Sequence, residues 1–358
     1  MTESLPDVVE RIVPSLTPVP SALREALRDG PSDAAIHDRH FAALAALHEI
    51  EVGGAAPARE GAAGPVRVAV WNVEEVRHLD AVAGTLARLR PDVALLSEVD
   101  DGMARSGNRQ CVRELAARLG HGYAYGVEFV ELDLGGTALR AAHAGQRNVR
   151  GLHGNAVTAG LRLQRPFLVR LDVDGGWFGW GRDEPRVGGR MAIGAQVALA
   201  GRPVTMVSVH LENNSTPADR AARTARLLDA VDRYDAAAPV LIGGDFNCST
   251  VDGARDGDGA LRRAAAAQDP TRLVEVAPWE PLFALMAARG FDWQACNVAG
   301  APTQRPVPGE PPRPLGKIDW IFTRGLRATH PAVVPALRPD GSPSSDHECL
   351  VVTVEPLA

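Results

Sequence analysis

The sequence predicts a mixed α/β (α+β) fold in which two β-sheets pack face to face with helices outside them. Three observations predict it. From Val66 onward, apolar runs of strand length recur between turn signals. Amphipathic helices separate some of these runs. Other runs follow one another as hairpins, which breaks the strict β-α-β alternation of a purely parallel sheet or barrel.

Residues 1–64 read as a helical preface. "SALREALRDG" has helical spacing and a glycine stop, and "AAIHDRHFAALAALHEIEV" carries Ile36, Phe41, Leu44 and Leu47 on one side. "GGAAPAREGAAGP" (Gly53 to Pro65) reads as a linker. The expected division is therefore a preface over 1–64, as a packed extension or an interaction arm, and a main domain over 65–358. In the main domain, "VRVAVWNV" and "DVALLSEVD" are buried strands, with the helix "HLDAVAGTLARLRP" between them. "RQCVRELAARLG" is a helix, and "GLHGNAVTAG" and "PFLVRLDV" are strands around a turn. "MAIGAQVALAGRPVTMVSVHLE" is a hairpin turning at Gly201-Arg202-Pro203. "PADRAARTARLLDAVDRY" is a long helix with Pro217 in its first turn. A strand "APVLIGGDFN", a helix "PWEPLFALMAARG" and two strands, "GKIDWIFTRGL" and "CLVVTVEP", complete the chain.

Composition narrows the function classes. At 358 residues the chain can bury a large core, as two domains or one layered domain. A net charge of −6 excludes a global basic field of the kind nucleic-acid binders use, although a local arginine cluster or a metal could still supply that contact. Four separated cysteines without a CxxC pair argue against a zinc knuckle; free thiols in a reducing, cytoplasmic setting are the simplest reading and two disulfides the alternative. There is no evident signal peptide, and no apolar run approaches the roughly 20 residues of a membrane span. Of 38 basic residues only Lys317 is a lysine. Nothing in the sequence bears on oligomeric state.

The chemistry is concentrated at strand ends. One strand ends in Asn72, the next in Glu98, and a middle strand in His210. "LIGGDFN" ends in Asp245 and Asn247, "KIDWIF" carries Asp319, and Asp346-His347 precede the last strand. Singly, Asn72 and Asn247 read as turn residues, His210 as a structural histidine and Asp346 as a cap. Asp319 among apolar residues needs a partner. Together, six strand ends offering carboxylates, amides and imidazoles are what a layered fold uses to build one site at its rim. Oxygen ligands without thiolates suit a hard cation, Mg²⁺ or Mn²⁺, held by Glu98 with Asp346 or Asp245. His347 can take a proton from water if Asp319 orients it. A metal, a base and neutral donors together suit in-line attack of water on a phosphoester.

In this order, "VAVWNV", "ALLSEVD", "HGNAVT", "VSVHLEN", "LIGGDFN", "KIDWIF" and "SSDHECL" resemble the endonuclease/exonuclease/phosphatase superfamily, over roughly Val66 to Pro356. The resemblance implies a four-layer α/β/β/α sandwich and a metal-dependent phosphoester hydrolase, with a small-molecule, lipid or nucleic-acid substrate. It implies that Asn72, Glu98 and Asp346 surround the metal. Asp245 would position or deprotonate the water, Asn247 bind the phosphate, His210 contact phosphoryl oxygens, and Asp319 with His347 form an oriented imidazole pair. Two places depart from the pattern. Thr158 is followed by "AGLRLQRP" where a Ser-Arg pair is usual, and the proton donor could be Tyr123, Tyr125, Glu128 or Glu131.

Substrate binding is assigned to Asn155, to Arg147 and Arg150 in the loop "ALRAAHAGQRNVRGLHGN", and to Arg190. "GWFGWGRDEPRVGGR", with Trp177, Trp180 and Arg182, reads as a substrate loop or a hairpin tip. Lys317 could face the phosphate. The competing functions are a non-catalytic binding protein on the same fold, which would tolerate loss of Asp245, Asp319 or His347, and a phosphoryl-cleaving or -transferring enzyme of specialised metabolism.

Overall fold

Alternation of side chains sorts each central strand onto two faces, and among the described residues this sorting builds three separate cores. The computed structural model describes residues 8–31, 33–172, 183–306 and 314–357. The preface forms β1 (Val8–Val9), β2 (Ile12–Val13), α1 (Ser21–Asp29), α2 (Ala34–Ala43), β3 (Ile50–Gly54) and β4 (Gly61–Ala62). Then come β5 (Val66–Asn72), α3 (Leu79–Leu89), β6 (Val93–Asp101), α4 (Cys111–Leu119), β7 (Gly122–Glu131), α5 (Thr137–Ala142), β8 (Leu152–Ala159) and β9 (Gln164–Arg170). The remainder begins with β10 (Arg186–Gly188), β11 (Met191–Leu199), β12 (Arg202–His210), α6 (Pro217–Asp235) and β13 (Val240–Asp245). It ends with α7 (Ala260–Gln268), α8 (Pro281–Ala288), β14 (Asp319–Arg324), β15 (Leu326–Val334) and β16 (Cys349–Pro356).

Among the described residues, one sheet has the order β1-β9-β11-β12-β13-β14, with β4 beside β11. The other has the order β15-β16-β5-β6-β8-β7-β3-β2, with β10 beside β7. On β5, Val66, Val68 and Val70 join a core between the sheets with Met206, Leu241 and Ile321. The alternate residues Ala69 and Trp71 pack with the helices of the outer layer, against Val82 and Leu86 of α3 and Leu115 of α4. On β13, Val240 and Ile242 pack with Leu227 and Val231 of α6 and Phe283 of α8. The layers therefore run helix, sheet, sheet, helix, as the sequence predicts. Each fully buried aliphatic side chain in these cores contributes about 1.5–3 kcal/mol. Helix α6 starts where predicted, because Thr216 and Asp219 form a capping box and Pro217 occupies the first turn.

Three local readings change. The helix expected through "HFAALAALHEIEV" stops at Ala43, a 3₁₀ turn covers Ala45–His48, and Ile50–Gly54 becomes β3. The open edge of β7 supplies backbone partners that a helix there would leave unpaired, and Ile50 pairs with Gly126. The linker contributes β4, parallel to β11. The hairpin turns at Ala200-Gly201, both at positive φ, with Leu199 paired to Arg202. A two-residue turn of that kind matches strand twist, so Arg202 and Pro203 belong to β12.

Strands from both sides of residue 64 complete the same two sheets, since β1 pairs with β9 and β3 with β7. No helix among the described residues is long and apolar enough to cross a membrane. All four cysteines are free and buried.

Leu47 of the preface is fully buried against the outer face of the second sheet. Leu47→Ala should therefore lower stability by about 2–5 kcal/mol. A urea titration should show one shifted cooperative transition. A shift confined to a separate early transition would mean that the preface folds on its own.

Candidate active site

Strand register lays the first part of the site side by side. His210 on β12 pairs with Asp245 on β13, and Asp245 pairs with Asp319 on β14. All three side chains are buried. The glycines before Asp245 allow close approach, Gly243 to the facing sheet and Gly244 to the neighbouring strand of its own sheet. A Cβ on Gly243 would stand 2.7 Å from Val70 of the facing sheet. One on Gly244, at φ +153°, would stand 1.9 Å from the Val209 carbonyl oxygen.

The facing sheet supplies the second part. Asn72, at the end of β5, donates from Nδ2 to Glu98 Oε1 at 3.0 Å and to Asp245 Oδ2 at 3.2 Å. One amide thus joins the two sheets. Glu98 sits at φ +56° where the β6–β8 register shifts between Leu96 and Val99. Such a bulge re-aims a side chain that a regular strand would send elsewhere. The loop before β16 is pinned here as well. Ser345 Oγ donates to the Asn72 carbonyl at 2.7 Å and accepts the His347 N–H at 3.0 Å, and the Trp71 indole donates to the His347 carbonyl at 2.9 Å.

His347 Nδ1 lies 2.9 Å from Asp319 Oδ2, and its Nε2 lies 3.8 Å from Asp245 Oδ2 and 3.9 Å from Asp346 Oδ1. Burial opposes charge on this imidazole, but Asp319, Asp346 and Asp245 outweigh it and hold its pKa well above the ordinary value. The carboxyl of Asp245 is pushed up to about 6 by burial and by neighbouring Asp319. Asp346 is raised by burial and by the negative charges of Glu98 and Asp245, against the pull of His347. Glu98 goes the other way. Burial would raise it, yet His210 and His153 bring it down to about 2. Asn247, at φ +49°, gives its backbone N–H to Asp245 Oδ1 at 2.8 Å and its Nδ2 to the Leu211 carbonyl at 2.8 Å.

A second wing surrounds His210. Its Nδ1 lies 3.0 Å from Arg190 Nη1 and 3.2 Å from Glu128 Oε2, which turns Nε2 toward Glu98 and Asp245 at 3.7 Å each. Asn155 Nδ2 donates to Glu128 Oε1 at 3.1 Å, while its own Oδ1 is buried without a hydrogen-bond partner. Arg190 Nε donates to Glu212 at 3.0 Å. Beside this wing opens a cleft of about 340 Å³ bordered by Glu98, His153, Arg186, Arg190 and Glu212.

The structure brings Asn72, Glu98, His210, Asp245, Asn247, Asp319, Asp346 and His347 together, and adds Asn155 and Arg190 through Glu128. It does not bring Arg147 or Arg150 to this cluster. Arg150 Nε pairs with Asp101 at 2.9 Å, and Arg147 is exposed on a separate depression beside α1. Of the four proton-donor candidates, Glu128 alone reaches the cluster. Tyr123 donates to Glu51, Tyr125 to the Val99 carbonyl, and Glu131 lies near Arg105 and Arg186. Glu128 is nevertheless held ionised: burial would raise it, but His210 and Arg190 lower it to about 2. Lys317 donates to the Val298 carbonyl and stacks on Trp320, so its ammonium is engaged there and not with the cluster. Trp177, Trp180 and Arg182 lie outside the described residues.

Three residues were missed in the sequence. Glu74 Oε2 accepts the Asp346 N–H at 3.0 Å, and its carboxyl is pushed up to about 7 by burial and by Asp346. Glu212 anchors Arg190, and Ser345 pins the His347 loop. The signal for Glu74 was two acids directly after a strand end, in "WNVEE".

The donors fit a hard divalent cation. Burial raises the carboxyls of Asp245 and Asp346, and neighbouring acids, Asp319 beside the first and Glu98 with Asp245 beside the second, add to it, so the place carries negative charge in need of a counter-ion. Asp245, Asp319 and His347 also offer ligand atoms within 4.8 Å of one another. The Asp319–His347 contact is a hydrogen bond, however, so those two atoms are already matched to each other.

A model of the Endonuclease/Exonuclease/phosphatase family matches residues 69–347. No curated protein matches the chain. The fold is similar to an endonuclease/exonuclease/phosphatase from Beutenbergia cavernae DSM 12333, with 20% identity, 82% of this chain and 72% of that one covered, and a TM-score of 0.56. It is similar to the human Nocturnin catalytic domain, with 16% identity, 86% and 98% covered, and a TM-score of 0.53. It is also similar to an endonuclease/exonuclease/phosphatase family protein from Bacteroides thetaiotaomicron, with 11% identity, 82% and 99% covered, and a TM-score of 0.53.

Because the folded state binds the His347 proton more tightly than the unfolded chain does, this group stabilises the fold fully below about pH 6.5. That contribution is lost as pH rises through the higher folded value. Asp319→Asn removes the main opposing charge, and the His347 pKa should fall toward 6.5 in an NMR titration of the metal-free protein. An unchanged titration would show that Asp319 does not set the state of the ring.

Proposed function

The chain belongs to the endonuclease/exonuclease/phosphatase family, and from that premise we propose that it is a metal-dependent hydrolase of phosphoester bonds, using Mg²⁺ or Mn²⁺. The observation that carries the reading is Asp245 set between His210 and Asp319, 3.8 Å from the imidazole that Asp319 holds, and bridged by Asn72 to Glu98. The substrate is a phosphodiester or phosphomonoester of a small molecule, a lipid or a nucleic acid. The four buried free thiols support a reducing, cytoplasmic setting.

Glu98, Asn72 and Asp346 would hold the cation, with Glu74 supporting Asp346 through its backbone N–H. When bound, the cation would acidify water and offset charge on phosphate oxygens. The protein's own groups divide the remaining work. Asp245, set between His210 and Asp319, is placed to take a proton from water, and the Asn247 backbone N–H fixes its orientation. His347 is kept protonated by Asp319, so it acts as a positive donor to phosphoryl oxygen and not as the base. His210 adds a second donor, its ring held by Arg190 and the ionised Glu128. Asn155 and Arg190 act through that carboxylate, which makes them positioning residues. The cleft bordered by Arg186 and Glu212 has room for the rest of the substrate.

Asp245→Ala and His347→Ala should each lower kcat by about 10²–10⁴-fold on bis(p-nitrophenyl) phosphate, with the cooperative melt retained. Near-normal turnover by either would remove that residue from its role. Chelation by EDTA should abolish hydrolysis, and added Mg²⁺ or Mn²⁺ should restore it. Activity that persists in chelator would rule out the metal-dependent mechanism.

A further inference from the structure

A cavity of about 550 Å³ opens beside the turn that follows Asn72, and the mechanism above makes no use of it. Its walls carry four guanidinium groups, those of Arg77, Arg105, Arg109 and Arg338, with His78 among them. In a chain of net charge −6 such a concentration is local, not a reflection of the average field.

The cavity is joined to the reaction site by short steps. Glu74, Glu75 and Val76 all have positive φ, at 43°, 59° and 55°. Three successive non-glycine residues in the left-handed region cost about 1–2 kcal/mol each, so packing must hold them there. The turn sends Glu74 to the Asp346 N–H on the site side and to Arg77 Nη1 at 3.0 Å on the cavity side. It also places Glu75 against Arg77 and 3.3 Å from Arg105. Arg105 borders both this cavity and the cleft containing Glu98.

The four arginines are not equally engaged. Arg77 is tied to Glu74 and Glu75, and Arg105 to Asp100 through two hydrogen bonds. Arg109 and Arg338 have looser partners, Glu114 at 3.8 Å and Asp340 at 3.9 Å. Arg338 Nε is buried without a hydrogen-bond partner. The pKa of His78 is lowered first by burial and then by Arg338 and Arg77, whose effect exceeds that of Asp340. Positive charge therefore dominates the surroundings of that ring. Guanidinium forks match phosphate oxygens in geometry as well as charge.

We propose that this cavity binds a second phosphate of the substrate, joined through the same molecule to the phosphate that is cleaved at the neighbouring carboxylate cluster. The inference rests on the phosphoesterase reading and narrows it to substrates carrying at least two phosphates. Arg109 and Arg338 supply the contacts, while Arg77 and Arg105 set the field and hold the wall.

The test compares wild-type protein with the double variant Arg109→Ala/Arg338→Ala. Equilibrium binding is measured in chelator with two multiply phosphorylated probes, inositol hexakisphosphate and a short single-stranded oligodeoxynucleotide. Turnover of bis(p-nitrophenyl) phosphate, which has one phosphate, is measured separately with Mg²⁺. The double variant should bind at least one probe about tenfold more weakly and keep its kcat/KM on bis(p-nitrophenyl) phosphate. Arg109→Lys/Arg338→Lys, which keeps the charge and loses the fork, should recover only part of the binding. Loss with the oligodeoxynucleotide alone identifies a polymeric phosphate source, and loss with inositol hexakisphosphate alone a small-molecule one. Unchanged dissociation constants, wild-type protein that binds neither probe, or an equal loss on bis(p-nitrophenyl) phosphate would each overturn the cavity assignment. Binding that depends on Arg109 and Arg338 in a protein that turns over no phosphoester would instead overturn the phosphoesterase reading.

Discussion

The open end of this sandwich depends on two sheets approaching closely enough for one side-chain amide to span them. Asn72 on β5 reaches Glu98 on its own sheet and Asp245 on the other. That approach is set by what is missing from β13, where Gly243 faces Val70 with no room for a Cβ. Were the sheets spread by a methyl group here, Asp245 would still pair with His210 and Asp319 along its own sheet, but Asn72 and Glu98 would lie out of reach. Gly243 in "LIGGDFN" is thus a spacing device between sheets more than a turn, while Gly244 lets β13 lie close to β12 within its own sheet.

The second organising fact is an excess of negative charge in a buried place. Asp245, Asp346 and Glu74 are each pushed toward the protonated form by burial and by neighbouring carboxylates. Glu98 and Glu128 escape that fate because histidine or arginine faces them. The result is a set of acids with separated proton affinities in one small volume, which is how a single site can hold a cation and a base together. His347 shows the same logic with the opposite sign, since three carboxylates around a buried imidazole make its charged form the stable one.

Arginine carries the supporting structure. Arg220 is fully buried and pairs with Glu280, Arg105 with Asp100, and Arg190 with Glu128 and Glu212. A planar fork can satisfy two or three acceptors at once, which a lysine ammonium does less well. The preface takes part in the same way. Arg24 on α1 donates to the carbonyls of Val19, Asn148 and Arg150, so the arginine loop expected near the substrate is held by the preface. That engagement, with the pairing of Arg150 to Asp101, explains why the loop charges read from the sequence did not become site charges.

Much of this protein was legible from its residues alone. Period-two apolar runs, glycine stops after helices and the hairpins among them determined the layered α/β class. Polar tips at strand ends, each with an ordinary structural reading alone, together pointed to one site at the rim of the sandwich. The tertiary structure alone decided what surrounds each tip. Glu128 is one of four acids and phenols in a single strand, and only the bulge in β7 and the contact with His210 select it. The proton affinities of Asp245 and His347 depend on acids and imidazoles supplied by separate strands and loops, and chain segments 276 residues apart meet here at the Trp71–His347 contact. Proton affinity is a property of surroundings, and surroundings exist only after the chain has closed.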